Sequence, residues 1–188
     1  EEGVRYEYPK LKVMGVEAVK SSTPEVCRGK IKEAIRVIMN QNEDDLIKFV
    51  SDFKTQFKNL SPESVAFPRS CNNLEKYVDP SMIYKKGTPI HVKGSLLYNH
   101  YLHKHNLETR YPVIKEGDKI KFLMLRLPNS VKDTVISFST YLPREFKLKQ
   151  YVDYDSQFEK TFTDPLQFIL NAINWKLEKE ANLESFFV

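Results

Sequence analysis

The chain has little of what most catalytic sites are built from. Its 188 residues include two cysteines, Cys27 and Cys71, and six glycines. Two thiols in a lysine-rich chain make neither a disulfide framework nor a zinc spacing. No glycine-rich phosphate loop and no nucleophile elbow occurs. No apolar run approaches the roughly 18 residues needed to span a bilayer, and no signal peptide opens the sequence. A reducing cytoplasm and no membrane partner are therefore expected. Internal repeats and low-complexity segments are also lacking. The one adjacent pair of aspartates, Asp44-Asp45, sits where a first helical turn accounts for it. The four histidines, His91, His100, His103 and His105, form no complete ligand set of the kind a metal requires. The sequence starts at Glu1 without an initiator methionine, so a processed product or a fragment is expected.

What the chain has is length for a sizeable core, as one large domain or two small ones, and an uneven charge. The net charge is +4, but residues 68–110 carry seven basic and three acidic side chains, and residues 111–150 carry eight and four. The last segment, 151–188, reverses to three and seven. A basic middle suits a polyanionic partner, although a charge excess is more often a solvated face.

Residues Lys10–Lys20 partly alternate, which predicts one strand or two short ones. Ser22-Thr23-Pro24-Glu25 predicts a capped helix start with proline in the first turn. Cys27, Ile31, Ala34, Ile35 and Ile38 carry that helix to about Asn40. Asn42-Glu43-Asp44-Asp45 caps a second helix, whose Leu46, Phe49, Val50, Phe53 and Phe57 make one apolar stripe. The short link between them implies an antiparallel helical hairpin. Ser64–Phe67 reads as a short strand and Ser95–His105 as a helix. Lys119–Leu125 and Asp133–Phe138 read as two strands of a small antiparallel sheet. Leu142–Phe146 reads as a turn or short helix. Asp164-Pro165 reads as the start of a last long helix with its stripe at Leu166, Ile169, Leu170, Ile173 and Leu177.

One stretch concentrates groups suited to phosphates and sugars. Asn72-Asn73 with Lys76-Tyr77, and His91-Lys93 with Tyr98-Asn99, flank a basic turn at Lys85-Lys86-Gly87. Amide, lysine, histidine and tyrosine side chains of this sort fix register on a nucleic-acid backbone. Gly94, lacking a Cβ, would let a backbone approach a bulky ligand. An ordinary loop entering a helix is the competing reading. A second group, Leu183, Phe186 and Phe187, has the spacing of one apolar helical face, which suits a groove on a partner or the chain's own core.

The order Asn72-Asn73-x-x-Lys76-Tyr77, then Gly87-x-Pro89-x-His91-Val92-Lys93-Gly94-x-Leu96-x-Tyr98-Asn99, resembles the thumb of T4-like bacteriophage DNA polymerases of family B. Further matching blocks lie at 9–25, at 151–166 (Asp153-Tyr154, then Glu159-Lys160-Thr161-Phe162 and Pro165-Leu166) and at 183–187. Residues 106–150 depart most from the pattern.

The resemblance implies an α+β fold: a largely helical thumb with a helical hairpin, a small antiparallel sheet and a long C-terminal helix. It divides the chain into the end of the palm and its connection (1–22), the thumb (23–181) and a sliding-clamp-binding tail (182–188). It implies contact with primer–template duplex by Lys12, Lys20, Ser21, Ser22, Asn72, Asn73, Lys76, Tyr77, Lys86, His91, Lys93, Gly94, Tyr98 and Asn99. Leu183, Phe186 and Phe187 would engage the clamp. The family's two aspartate motifs, an Asp before Ser-Leu-Tyr-Pro and Asp-Thr-Asp-Ser, do not occur. Mg2+ would then belong to a catalytic palm elsewhere, with fingers and exonuclease on the same or another chain, and this chain alone would hold no cofactor and be inactive. The setting implied is the cytoplasm of an infected bacterium. The alternative is a stand-alone clamp-binding adaptor or a non-specific DNA-binding module.

Overall fold

A 3.6-residue apolar period builds the first two helices of the computed structural model, which describes residues 19–177. Helix α1 (Glu25–Asn40) buries Cys27, Ile31, Ala34 and Ile38, and α2 (Glu43–Phe57) buries Leu46, Val50, Phe53 and Phe57. The two pack as the expected hairpin. At the head of α2 the Asn42 side chain accepts from the Asp45 N–H at 2.9 Å, and the Asp45 carboxylate accepts from the Asn42 N–H. This reciprocal capping satisfies two donors that the first turn leaves over. The head of α1 differs from expectation. Pro24 is the cap residue and no side chain caps the turn. Thr23 Oγ1 accepts instead from the Lys20 N–H at 3.2 Å, and Arg28 ties the turn down through the carbonyls of Thr23 and Ser21.

Residues Pro62–Val65 are a short helix, α3, where a strand was expected over Ser64–Phe67. Ser61 caps it through the Ser64 N–H, and Pro62 stands in the first turn. Those local signals outweigh the apolar run Val65–Phe67. The strand β1 follows at Phe67–Ser70, and pairs antiparallel with β4 (Lys119–Met124), which pairs antiparallel with β5 (Val135–Phe138). Phe67 faces Phe122 across the ladder with rings stacked at 4.9 Å. Between β1 and β4 lie α4 (Leu74–Tyr77), a two-stranded hairpin of β2 (Val78–Asp79) and β3 (Ile83–Tyr84), and α5 (Ile90–Lys104).

Helix α5 begins five residues before the expected Ser95. Its Pro89 cap offers no side-chain hydrogen bond, so no capping signal marked it. It lies across β5. The contact is close at Gly94, where an added Cβ would stand 2.4 Å from Ser137 Oγ and 2.8 Å from the Ser137 nitrogen. Gly94 therefore admits a strand of this same chain, and its expected role toward a bulky ligand is corrected.

The last helical run also starts earlier than expected. Asp153 caps α6 (Tyr154–Phe158) through the Ser156 N–H. A π-helical turn at Glu159–Thr163 then leads without a break into α7 (Asp164–Ile173). Asp164 is an interior residue rather than a cap, and Leu177 lies beyond the helix end, though still packed on the core. Phe158 and Phe162 from this run meet Phe53 at 5.6 and 4.8 Å between ring centroids, which closes the helical half of the core. Such aromatic pairs contribute about 0.5–1.5 kcal/mol each beyond area burial. Gln157, fully buried, joins the halves: it accepts from the Met124 N–H at 2.9 Å and donates to the Val65 carbonyl at 2.8 Å.

Candidate nucleic-acid interface

The lysines that the sequence concentrates here flank the β2–β3 hairpin: Lys76 precedes it on α4, Lys85 and Lys86 follow β3, and Lys93 stands in the first turn of α5. Asp79 closes the hairpin's turn by accepting on one oxygen from the Ser81 N–H, the Ser81 hydroxyl and the Met82 N–H, at 2.8, 2.7 and 3.2 Å. These bonds hold the Asp79 carboxyl below the usual range. Lys85 extends the hairpin: its N–H donates to the Tyr77 carbonyl, and its ammonium donates to the Lys76 carbonyl at 2.9 Å. Gly87 takes a φ of +82°, a backbone conformation glycine adopts freely, and lets the chain turn into α5. Lys76 stands over the Tyr77 ring at 5.2 Å and Lys93 over the Tyr84 ring at 5.0 Å. Among the described residues, none of Lys76, Lys85, Lys86 and Lys93 forms an ion pair. The first turn of α5 holds no acidic residue, so the positive end of its dipole adds to the lysines.

The approach to the hairpin is fixed from a distance in sequence. Glu116 accepts from the Asn73 N–H at 2.6 Å and from the Leu74 N–H at 2.9 Å, which holds Asn73 in a left-handed conformation at the head of α4. The Asn72 and Asn73 residues remain exposed. His91, half-buried in the first turn of α5, has its imidazole pKa lowered by burial and by the nearby Arg69. A neutral ring at pH 7 offers a hydrogen bond rather than a charge. The surface therefore has four exposed or half-exposed cations, neutral polar groups and the carboxylates of Glu75 and Asp79 beside them, and the exposed Met82 at the tip. Chemically it can hold a polyanion, and it offers no group poised for bond-breaking.

Among known proteins, the chain is 35% identical over 190 residues to a DNA-directed DNA polymerase of Escherichia phage RB69, with 99% of this chain covered. It is 28% identical, with the same coverage, to a DNA-directed DNA polymerase of Enterobacteria phage T4. This chain is homologous to part of the T4-like phage DNA polymerases. It spans about a fifth of the length of either relative, 21% in each case. No family model matches it.

The expected contact residues fall in different parts of the fold. Asn72 and Asn73 lead into α4, Lys76 and Tyr77 lie on it, Lys86 follows β3, and His91 and Lys93 stand in the first turn of α5. Tyr98 and Asn99 turn inward, against expectation. Tyr98 is buried, donates its hydroxyl to the Pro112 carbonyl at 2.9 Å, and has its phenol pushed up to about 12 by desolvation. Asn99 spends both ends of its amide on the backbone of Ile114, each at 2.9 Å. Gly94 faces β5. Lys20, Ser21 and Ser22 sit at the head of α1, and among the described residues no hydrogen bond or ion pair joins them to the hairpin. Lys12, Leu183, Phe186 and Phe187 lie outside the described residues.

Sequence reasoning missed Tyr84, Asp133 and Glu116. Glu116 sits in the Lys115–Asp118 turn, and its partners at 73 and 74 are more than forty positions away. Among the described residues, no three His, Cys, Asp or Glu side chains are grouped to hold a metal.

Proposed function

We propose that this chain is the C-terminal thumb region, with the end of the palm, of a family B phage replicative DNA polymerase, and that it grips primer–template duplex through sugar and phosphate contacts. The observation that carries the reading is the similarity of 99% of the chain to two phage DNA polymerases. The lysines flanking the hairpin and on α5, none in an ion pair among the described residues, supply a surface with the sign and polarity that a phosphate backbone requires. Lys76, Lys85, Lys86 and Lys93 neutralise phosphates, while Asn72, Asn73, Tyr77 and His91 offer hydrogen bonds to sugar and phosphate oxygens. Lys20, Ser21 and Ser22 form a second point of contact in the palm–thumb connection, with Lys12 upstream. On this reading residues 1–22 end the palm, 23–181 form the thumb and 182–188 tether the polymerase to its sliding clamp through Leu183, Phe186 and Phe187. The carboxylates that bind Mg2+ for phosphoryl transfer belong to palm segments outside this sequence, and the reaction takes place in the cytoplasm of the infected cell.

Fluorescence anisotropy of a labelled primer–template duplex, at two salt concentrations, tests the grip. Each phosphate neutralised contributes about 0.9 to the slope of log affinity against log salt. Lys93→Ala is expected to weaken binding several-fold and lower that slope by about one. Binding absent at the lower salt would refute the duplex reading for this chain. A clamp-binding adaptor would instead bind the clamp, lose it on Phe186→Ala/Phe187→Ala, and show no duplex binding.

A further inference from the structure

A hairpin of two-residue strands does not hold itself in place. Isolated two-stranded hairpins are marginal in water, and this one has Ile83 at φ +71°, a left-handed conformation unfavourable for a β-branched residue. Yet the hairpin is where Lys85 and Lys86 begin. Ile83 and Tyr84 pack on the core beside α5, and a polar tie comes from the segment 126–134, to which the resemblance assigned no contact. Tyr84 of β3 donates its hydroxyl to the Asp133 carboxylate. Asp133 is itself well anchored. Its other oxygen accepts from the Thr134 N–H at 2.7 Å, and its carbonyl accepts from the Asn129 side chain at 2.8 Å. Asn129 also donates to the Arg126 carbonyl and accepts from the Val131 N–H, so the segment is closed on itself. Tyr101 of α5 donates to the Val131 carbonyl at 3.3 Å, which ties that segment to the helix carrying Lys93. Lys93 in turn lies over the ring of the same Tyr84.

We propose that Asp133, acting through Tyr84, is the positioning residue that fixes the β2–β3 hairpin, and with it Lys85 and Lys86, for contact with the phosphate backbone. The proposal rests on the duplex reading above and names which connection within the fold that reading depends on. It explains why a carboxylate stands beside a polyanion-binding face: it repels phosphate weakly, but it holds two lysines in place.

Electrostatics alone and positioning predict opposite signs for one substitution. Removing the Asp133 charge should strengthen duplex binding if the carboxylate acts only as a nearby negative charge. If it positions the hairpin, Asp133→Ala weakens binding several-fold and lowers the salt slope by about two, because Lys85 and Lys86 disengage. Tyr84→Phe is expected to do the same, whereas Asp133→Asn, whose amide can still bond the phenol, keeps wild-type affinity or exceeds it. Limited trypsin digestion of the same variants gives a readout without DNA. Cleavage after Lys85 and Lys86 should rise several-fold in Asp133→Ala and Tyr84→Phe, with the thermal midpoint within a few degrees of wild type, and should not rise in Asp133→Asn. Unchanged cleavage, or an Asp133→Ala variant that binds duplex as tightly as wild type, overturns the proposal. If wild type binds no duplex, the thumb-grip reading fails and the cleavage rates alone decide whether Asp133 fixes the hairpin.

Discussion

Gly94→Ala and Gly29→Ala are the same chemical change in two helices, and the structure predicts opposite outcomes. At Gly94 the added Cβ would stand 2.4 Å from Ser137 Oγ, 2.8 Å from the Ser137 nitrogen and 3.0 Å from the Ile136 carbonyl carbon. Two of these are backbone atoms of β5, so no rotamer change relieves them, and helix and strand must separate. Overpacking of this kind costs about 1–3 kcal/mol. The Ser137 hydroxyl, displaced, would lose its hydrogen bond to the His91 carbonyl at 2.9 Å, a loss of about 1 kcal/mol. Alanine returns about 1 kcal/mol in helix propensity, which leaves a net destabilisation of about 2 kcal/mol. For a protein of this size that lowers the thermal midpoint by about 4–8 °C. At Gly29, in the middle of α1, nothing lies within 4 Å of the added Cβ, so the propensity gain of up to about 1 kcal/mol stands alone. Its midpoint should rise by about 2–4 °C. Thermal unfolding followed by circular dichroism compares the three proteins directly. A Gly94→Ala variant as stable as wild type would refute the claim that α5 and β5 are pressed together at this glycine.

Two other perturbations test the core and the charge state of the surface. Gln157→Leu should destabilise the fold by about 2–4 kcal/mol in urea unfolding, because the Met124 N–H and the Val65 carbonyl both lose their partner; a loss under 1 kcal/mol would mean that neither depends on it. Burial lowers the His91 pKa from its ordinary 6.5, so below pH 6.5 the unfolded chain binds the proton more readily than the folded one. Stability present at pH 7 is then lost as pH falls below 6.5 through the lowered value, and His91→Gln should flatten that part of the profile in unfolding measured from pH 7.5 to 5.

The elements with large apolar residues at helical period were legible in the sequence. The α1–α2 stripes needed only spacing to be recognised, and Asn42 with Asp45 announced its cap. The β4 and β5 strands were visible by a different pattern, as apolar runs between turn residues. Other features depended on partners distant in the chain. Gly94 in α5 is explained by Ser137, and nothing within ten residues of it indicates a strand. Two-residue strands have no period to detect, so the hairpin read as a loop. Asp164-Pro165 carries a true helix-start signal that the π-helical turn before it overrides. At the site, the residue types were informative but their direction was not. Tyr98 and Asn99 have the chemistry of backbone readers, yet Pro112 and Ile114 take up their polar atoms inside the fold. Lysines carry less ambiguity, since an unpaired ammonium is rarely buried, and Lys76, Lys86 and Lys93 stayed at the surface.

The most direct test of the central claim is a lysine-acetylation footprint of the chain, with and without primer–template duplex, read residue by residue by mass spectrometry. The account predicts protection at Lys76, Lys85, Lys86 and Lys93, and unchanged labelling at Lys48 and Lys54, exposed on α2. Protection centred on α2, with the hairpin lysines labelled as freely as before, would contradict it.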